Sequence, residues 1–373
     1  MNVPFNDLSR IHTPLKDRLD EEWHEIMQEG SFILGRRVLS FERNFAQFCG
    51  QQDETNATGV SNGTDGLELL LRAHNIGAGD EVITVSNTFN ATVSAIVHTG
   101  AKPILIDNHP QTYLFNVEGI EKRITPQTRA LMPVHLYGQQ ADMEKICSFA
   151  KERGLLVFED ACQAHGSLQK GNAPGRLSNG AVFSFYPGKN LGGFGDGGMV
   201  VSKDQAIIEK LKRLRNYGQR IKYHHDELGF NRRLDWLQAA VLDVKLPFLT
   251  QWNEERRKIA NTYQEGLQNI PELTLPSETE DNLHVYHLFV IGVSERERVM
   301  HYLAERGIET GIHYPVPIHQ QKSFEAQHLL EQAEHLQVCE RTAKRVLSLP
   351  IFPGMKESEV RYVIDAIKSF YQR

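Results

Sequence analysis

A chain of 373 residues with 40% hydrophobic and 24% charged positions can bury a large core, is ordinary in composition for a globular protein, and is long enough for two domains. Its formal net charge of −6 gives no electrostatic support to a nucleic-acid or membrane-surface partner. The four cysteines (Cys49, Cys147, Cys162, Cys339) form no CxxC pair, so neither a disulfide framework nor a zinc site is indicated and reduced thiols are expected. The N-terminal MNVPFNDLSR lacks a basic segment followed by an apolar one, and no apolar run approaches the ~20 residues that span a bilayer, which points to a cytoplasmic protein.

After a short arm, the periodicity predicts amphipathic helices over 15–29, ending at Gly30, and over 39–48. Next, Asn62, Gly63, Thr64 and Asp65 form a polar cluster ahead of a helical run at 67–74. Such a cluster reads as an N-cap, or as an anion site where unpaired N–H groups and the helix dipole receive a phosphate. A strand is predicted over 81–85 and a helix from near Asn90, with Phe89 in the loop between. That ring reads as core filler or as a stacking partner for a flat ligand. Strand-like stretches at 103–107 and 130–134 alternate with helical ones at 117–124 and 142–153, which argues for a mostly parallel sheet covered on both faces.

The stretch 154–201 carries the chemistry. Apolar runs at 155–158 and 181–185 have the length and content of buried strands, and each ends abruptly in polar residues. Asp160 and Gln163 follow the first strand, and Ser184 and Lys189 lie at and beyond the end of the second. Ligands of open α/β sheets sit outside the carboxyl ends of the strands, so an acid, an amide, a hydroxyl and a lysine are expected in one crevice. A buried lysine can lose its proton and attack a carbonyl, and a buried carboxylate needs a cationic partner such as a protonated pyridine. Together they point to pyridoxal phosphate held as a Schiff base on Lys189.

Beyond the lysine loop, a basic helix is predicted over 204–217 and another within GFNRRLDWLQAAVLDVKL. From about residue 246 the pattern changes to a long polar helix (253–270), a short strand (287–293) and helices at 296–306 and 357–370, as expected of a smaller α+β domain joined near Pro247. Within it, GIHYPVPIHQQ sets His313, Tyr314 and His319 on a stiff loop able to face a cleft.

Seven segments occur in order: SNGTDGLELLLRA, TFNATVSAIVHTGAKPILID, HLYGQQADM, EDACQAHG, SFYPGKNLGGFGDGG, GFNRRLDWLQAAVL and HYPVPIH. Together they resemble the DegT/DnrJ/EryC/StrS family of sugar aminotransferases over almost the whole chain. The resemblance implies an α/β fold like that of aspartate aminotransferase (type I PLP-dependent transferases). A large domain with an N-terminal arm and mostly parallel sheet would span 1–246, and a smaller C-terminal α+β domain 247–373. It also implies pyridoxal phosphate as cofactor and a homodimer whose active sites draw on both subunits. Carried over by position, Lys189 matches the Schiff-base lysine and Asp160 the partner of the pyridine nitrogen. Gln163 matches the amide at the ring hydroxyl, and Phe89 the aromatic that stacks on the ring. Gly63, Thr64 and Ser184 match the phosphate cradle, and Asn231 the asparagine that reaches the phosphate from the partner subunit.

Within that family, SFYPGKNLG is most similar to enzymes acting at C3 of nucleotide-linked 3-keto-6-deoxy sugars, with thymidine diphosphate the usual carrier. Enzymes acting at C4 tend to differ at Tyr186 or Gly188, and relatives acting on uronic acids or cyclitols share part of the loop. Tyr186, Tyr314 and His319 match positions near the sugar, and Tyr223 a contact to the diphosphate, with Lys222 and Arg220 nearby. Cys162, Arg232 and Trp236 depart from the family pattern, standing where alanine or serine, serine, and a polar residue are common. The resemblance implies L-glutamate as amino donor and 2-oxoglutarate as its product. Two rivals are a deoxysugar dehydratase, in which histidine replaces the lysine, and a non-enzymatic nucleotide-sugar binder that uses GGFGDGGM as a phosphate loop. That loop opens no helix with GK[ST] or GxGxxG, so it matches neither phosphate fingerprint.

Overall fold

The computed structural model describes residues 1–325 and 336–372. Seven strands form the main sheet: β1 (Ala57–Val60), β2 (Glu81–Val85), β3 (Lys102–Ile106), β4 (Thr128–Met132), β5 (Leu156–Asp160), β6 (Gly180–Ser184) and β7 (Gly198–Val201). Their order is β1-β7-β6-β5-β4-β2-β3. Strands β3, β2, β4, β5 and β6 pair in parallel, whereas β7 lies antiparallel between β6 and β1. The sheet is mostly parallel, as expected, and its strands are apolar on both faces because helices cover both.

The covering helices are α1 (Lys16–Glu29), α2 (Arg36–Phe48), α3 (Gly63–Ala73), α4 (Asn90–Thr99), α5 (Met143–Glu152), α6 (Gln205–Leu214) and α7 (Trp236–Lys245). Local chemistry starts several of them: the side chains of Asn62, Asp142, Asp204 and Asp235 each accept a backbone N–H of the first turn. Gly30 closes α1 at φ 61°, a conformation cheap only for glycine, where the sequence placed the end. Leu67, Leu70, Val182, Val200 and Phe158 pack into one core layer, and Phe41, Phe45, Phe183 and Phe185 into another.

After α7, one 3₁₀ turn (Leu246–Phe248) leads directly into α8 (Leu249–Leu267). A separate core then forms around the antiparallel pair β8 (Phe289–Gly292) and β9 (Val346–Leu349), with α8, α9 (Arg296–Ala304) and α11 (Glu357–Tyr371) supplying Tyr263, Val299 and Val363; α10 (Gln337–Arg345) leads into β9. Among the described residues no helix is long and apolar enough to cross a membrane.

Four expectations shift. The helix expected from 67 begins a turn earlier, at Gly63, because Asn62 caps it. The helix expected over 117–124 is only a 3₁₀ turn, Ile120–Arg123, since Gly119 enters it at φ 77° and extended Ile124 leaves it. The helix expected from 253 begins at Leu249, because Pro247 sits in the preceding 3₁₀ turn, where its missing N–H costs nothing. Strand β5 runs on to Asp160, so the acid is the last residue of the strand rather than part of the following loop.

Candidate active site

Asp160 stands at the carboxyl end of the central strand and is 6% exposed. Thr92, one turn into α4, donates its hydroxyl to Asp160 Oδ2 at 2.7 Å, and the Cys162 N–H donates to Oδ1 at 3.2 Å. Because Thr92 spends its proton on the acid, Thr88 must donate to Thr92 across their 2.7 Å contact. Both donors to the carboxylate are neutral, and among the described residues no cation lies within ion-pair range of it. A buried carboxylate in that state fits a ligand carrying its own cation, such as a protonated ring nitrogen.

The expected phosphate cradle adjoins it as a close-packed helix start. A Cβ on Gly63 would lie 2.8 Å from Cys162 Sγ and 2.9 Å from Ser184 Cβ, so only glycine lets the first turn of α3 approach the ends of β5 and β6 so closely. Asn62 takes up the N–H groups of Asp65 and Gly66, through its side chain and its carbonyl. Those of Gly63 and Thr64 remain at the dipole-positive end, beside Ser184, as an anion site requires. Gly63→Val is therefore expected to lower affinity for a phosphorylated cofactor at least ~100-fold in absorbance titrations of the apoprotein, because a branched side chain displaces α3 from Ser184.

Lys189 lies on the turn after β6, its N–H bonded to the Tyr186 carbonyl at 2.9 Å. Burial pulls its amine below the ordinary 10.5, against the opposing pull of the neighbouring Cys162 and Asp160 groups. The Lys189 amine thus lies within electrostatic reach of the Asp160 carboxylate and the Cys162 thiol, beyond the ends of the adjacent strands β5 and β6. Three histidines share this environment. Burial, reinforced by the Lys189 charge, holds His165 at about 3, His313 at about 4, and His287 well below 6.5. Their neutral rings leave the amine as the proton-exchanging nitrogen among them.

These depressed values carry a stability consequence. In the fold the rings stay neutral, while the unfolded chain binds protons from about pH 6.5 downward, so their contribution is complete above 6.5 and is lost as pH falls toward 4 and then 3. Calorimetry should show Tm falling by roughly 5–10 °C between pH 7.5 and pH 5; a flat profile would contradict the burial of these rings.

Gln163 is oriented from both sides. The Tyr137 N–H, presented by a residue at φ 61°, donates to Oε1 at 2.7 Å, and Nε2 donates to the Tyr314 hydroxyl at 3.1 Å. Tyr314 in turn meets Phe89 at 5.7 Å between ring centroids, and Phe89 is 56% exposed, so it borders the open side of the crevice instead of filling core. Gly63, Asp160, Gln163, Ser184, Lys189, Phe89 and Tyr314 thus form one contiguous set, with Thr64 beside Gly63.

Four other expected residues stand apart from that set. Tyr186 is exposed on the lysine turn, and Tyr223 is 78% exposed on the tip of the hairpin formed by Gln219–Ile221 and His224–His225, with Lys222 Nζ 5.2 Å from its ring. Asn231 is exposed on a segment bridged to Asn216. His319 is engaged within the chain: Nδ1 lies 2.7 Å from Ser86 Oγ and Nε2 3.1 Å from Glu340 Oε1. Of the three departures, Cys162 lies against Val182, Arg232 pairs with Asp65 at 3.1 Å and Glu68 at 2.8 Å on α3, and Trp236 is buried against Gly35. Sequence reasoning missed Thr92, the Tyr137 amide, His165 and His287; Thr92 left a trace, as a hydroxyl two residues into a predicted helix, and His313 stands on the loop expected to face a cleft.

Comparisons with known proteins follow the same outline. The family model described as the DegT/DnrJ/EryC1/StrS aminotransferase family matches residues 14–368. The chain is 45% identical over 368 residues to a dTDP-3-amino-3,6-dideoxy-alpha-D-galactopyranose transaminase of Aneurinibacillus thermoaerophilus, covering 99% of each protein. It is 41% identical over 374 residues to a protein named pleiotropic regulatory protein in Geobacillus stearothermophilus, covering 100% of this chain and 99% of that one. Its fold superposes with a TM-score of 0.96, at 42% identity and over 100% and 99% of the two chains, on S. venezuelae DesV solved in complex with a ketimine intermediate. With a family match over nearly its full length, and with lysine, aspartate and glycine cradle converging at one sheet edge, the chain belongs to the DegT/DnrJ/EryC1/StrS aminotransferase family.

Proposed function

We propose that this protein is a pyridoxal-phosphate-dependent aminotransferase that moves an amino group from L-glutamate to C3 of a nucleotide-linked 3-keto-6-deoxyhexose, carried on thymidine diphosphate, in deoxyamino-sugar biosynthesis. The observation that carries the reading is a buried lysine amine within electrostatic reach of the buried Asp160 carboxylate at the carboxyl edge of the sheet. The name of the A. thermoaerophilus relative supports the nucleotide and the carbon.

The residues divide the work. When bound, pyridoxal phosphate supplies an electron sink that makes the donor's α-proton removable. The N–H groups of Gly63 and Thr64, unpaired among the described residues, would with Ser184 hold the phosphate. Asp160, fixed by Thr92 and the Cys162 amide, would present its charge to the ring nitrogen and keep it protonated. Gln163, oriented by Tyr137 and Tyr314, would receive the ring hydroxyl, and Phe89 would cover one ring face against water. Lys189 Nζ, its basicity lowered by burial, would take the proton from the donor's α-carbon and in the second half-reaction deliver one to carbon 3 of the sugar. Asn231, exposed in a single chain, completes the phosphate site of a partner subunit in a homodimer, and Tyr186, Tyr223, Tyr314 and His319 border the sugar nucleotide. The chain divides near residue 246 into a large and a small domain, and the enzyme works in the cytoplasm.

The regulatory name of the Geobacillus relative favours a second reading, a nucleotide-sugar sensor. A sensor has no use for a desolvated amine facing a buried acid. Purified protein should be yellow, and glutamate should bleach its visible band; a colourless protein that takes up no pyridoxal phosphate would establish the sensor instead. Incubation with glutamate and a panel of 3-keto and 4-keto nucleotide sugars, with products identified by mass and NMR, should give amination at C3 of a dTDP-linked sugar. Amination at C4, or of a keto-uronic acid or cyclitol, would move the assignment within the family.

A further inference from the structure

Lys245, the last residue of α7, is fully buried, and among the described residues it has no carboxylate partner. Its Nζ donates instead to the carbonyl oxygen of Gly192 and lies 3.2 Å from His12 Nε2. The Phe194 ring closes the third side at 5.9 Å, and the His12 ring meets Phe194 edge-on at 4.9 Å. Burial lowers the amine of Lys245 to about 8 and His12 to about 4, so near neutrality the pair is an ammonium donor and an imidazole acceptor. Burying an ammonium away from any carboxylate is costly, and an apolar residue at this position would avoid the cost. The position of the carbonyl it grips accounts for it.

Gly192 is three residues after Lys189, and the turn between folds back on itself. A Cβ on Gly192 would lie 2.2 Å from the Pro187 carbonyl oxygen and 2.9 Å from Pro187 Cα, so residues 187 and 192 are in backbone contact with Lys189 on the arc between them. Whatever fixes the Gly192 carbonyl therefore fixes both feet of the turn that carries Lys189. A second residue of α7 grips the same base: Gln238 Oε1 accepts the Phe194 N–H at 2.7 Å, while the Gly193 N–H bonds the Phe185 carbonyl at 2.8 Å.

We infer that Lys245 is a positioning residue for the amination reaction: its buried ammonium, oriented by His12, holds the base of the Lys189 turn and so sets where the Lys189 amine stands. The inference rests on the proposed role of Lys189. It concerns placement, because Lys245 lies under the turn and touches neither the Asp160 site nor the phosphate cradle in any recorded contact among the described residues.

The test uses the purified holoenzyme of wild type, Lys245→Met and His12→Leu. Lys245→Met keeps the length of the side chain and removes donor and charge; His12→Leu removes only the orienting acceptor, at a half-buried position. The expected result is a kcat for glutamate-dependent amination lower by about 10–100-fold in Lys245→Met and about 3–10-fold in His12→Leu, with KM for glutamate and affinity for pyridoxal phosphate within about threefold of wild type. The visible band should persist in both variants and bleach more slowly with glutamate. An unchanged kcat in both variants overturns the inference. So does a fall in kcat that tracks losses in cofactor affinity and Tm, since that describes a mere core residue. Should Lys245→Met not fold, His12→Leu decides by the same ratio. A wild type that takes up no cofactor would sink the proposed function instead, so the two failures are distinguishable.

Discussion

Lys189→Ala is expected to lower glutamate-dependent amination by at least ~10⁴-fold, beyond the ~10²–10⁴ that removal of a general base alone costs, because the same nitrogen also anchors the cofactor. The effect on the fold should have the opposite sign. Burial depresses the Lys189 amine, and among the described residues that amine donates no hydrogen bond, so the native state bears a desolvation only partly offset by the Cys162 and Asp160 groups. The apoprotein of the variant should melt at the same temperature as wild type or above it. Separate measurements of initial rate and apoprotein Tm check the two halves. A variant that kept a tenth of its activity, or that lost activity only by unfolding, would remove Lys189 from the proposed role.

The second large effect is expected at Asp160. In Asp160→Asn the shape is kept and the charge is lost. The amide has a single oxygen for two donors, the Thr92 hydroxyl and the Cys162 N–H, so one of them faces an NH₂ group whichever way the amide turns. Loss of the charge stops the side chain from holding a ring nitrogen protonated, and kcat should fall by about 10²–10⁴-fold. The rotated or unpaired donor should also weaken pyridoxal phosphate binding. Thr92→Val separates the two contributions: it leaves the charge and removes one donor, so its loss in kcat should be smaller, roughly tenfold, with the cofactor band retained. Equal losses in the two variants would mean that orientation of Asp160, not its charge, is what matters.

The chemistry-bearing stretch was legible because it is local. Asp160, Gln163, Ser184 and Lys189 lie within 30 residues at the ends of two apolar strands, and strand ends of a parallel sheet open onto one edge by construction. The alternation of strand and helix gave the layers for the same reason. Direction escaped: an apolar run reads the same either way, and nothing in GMVV announces that β7 runs against its neighbours. Local pattern also placed the start of α3 late: the polar cluster reads as a cap, but apolar periodicity begins only at Leu67, whereas the helix follows Asn62 at once.

Long-range pairings left no signal of their partners. Thr92 reaches Asp160 across 68 positions, and His319 finds Ser86 across 233, so a stiff loop that looked free to face a sugar is tethered by both ring nitrogens. The neutral histidines around Lys189 come from three distant segments, and neither their shared burial nor the grip of Lys245 on Gly192 follows from spacing. Phe89 shows the converse. Composition alone favoured core filler, the resemblance favoured a ring-stacking role, and its exposure beside Tyr314 agrees with the latter.

The central claim is that the amine at position 189 is the one that joins the cofactor. Borohydride reduction of the holoenzyme, followed by proteolysis and mass mapping, tests it in one step. A single phosphopyridoxyl increment on the peptide containing Lys189 is the predicted result. An increment on Lys245 or any other lysine, or none in a protein that has taken up pyridoxal phosphate, would contradict the account.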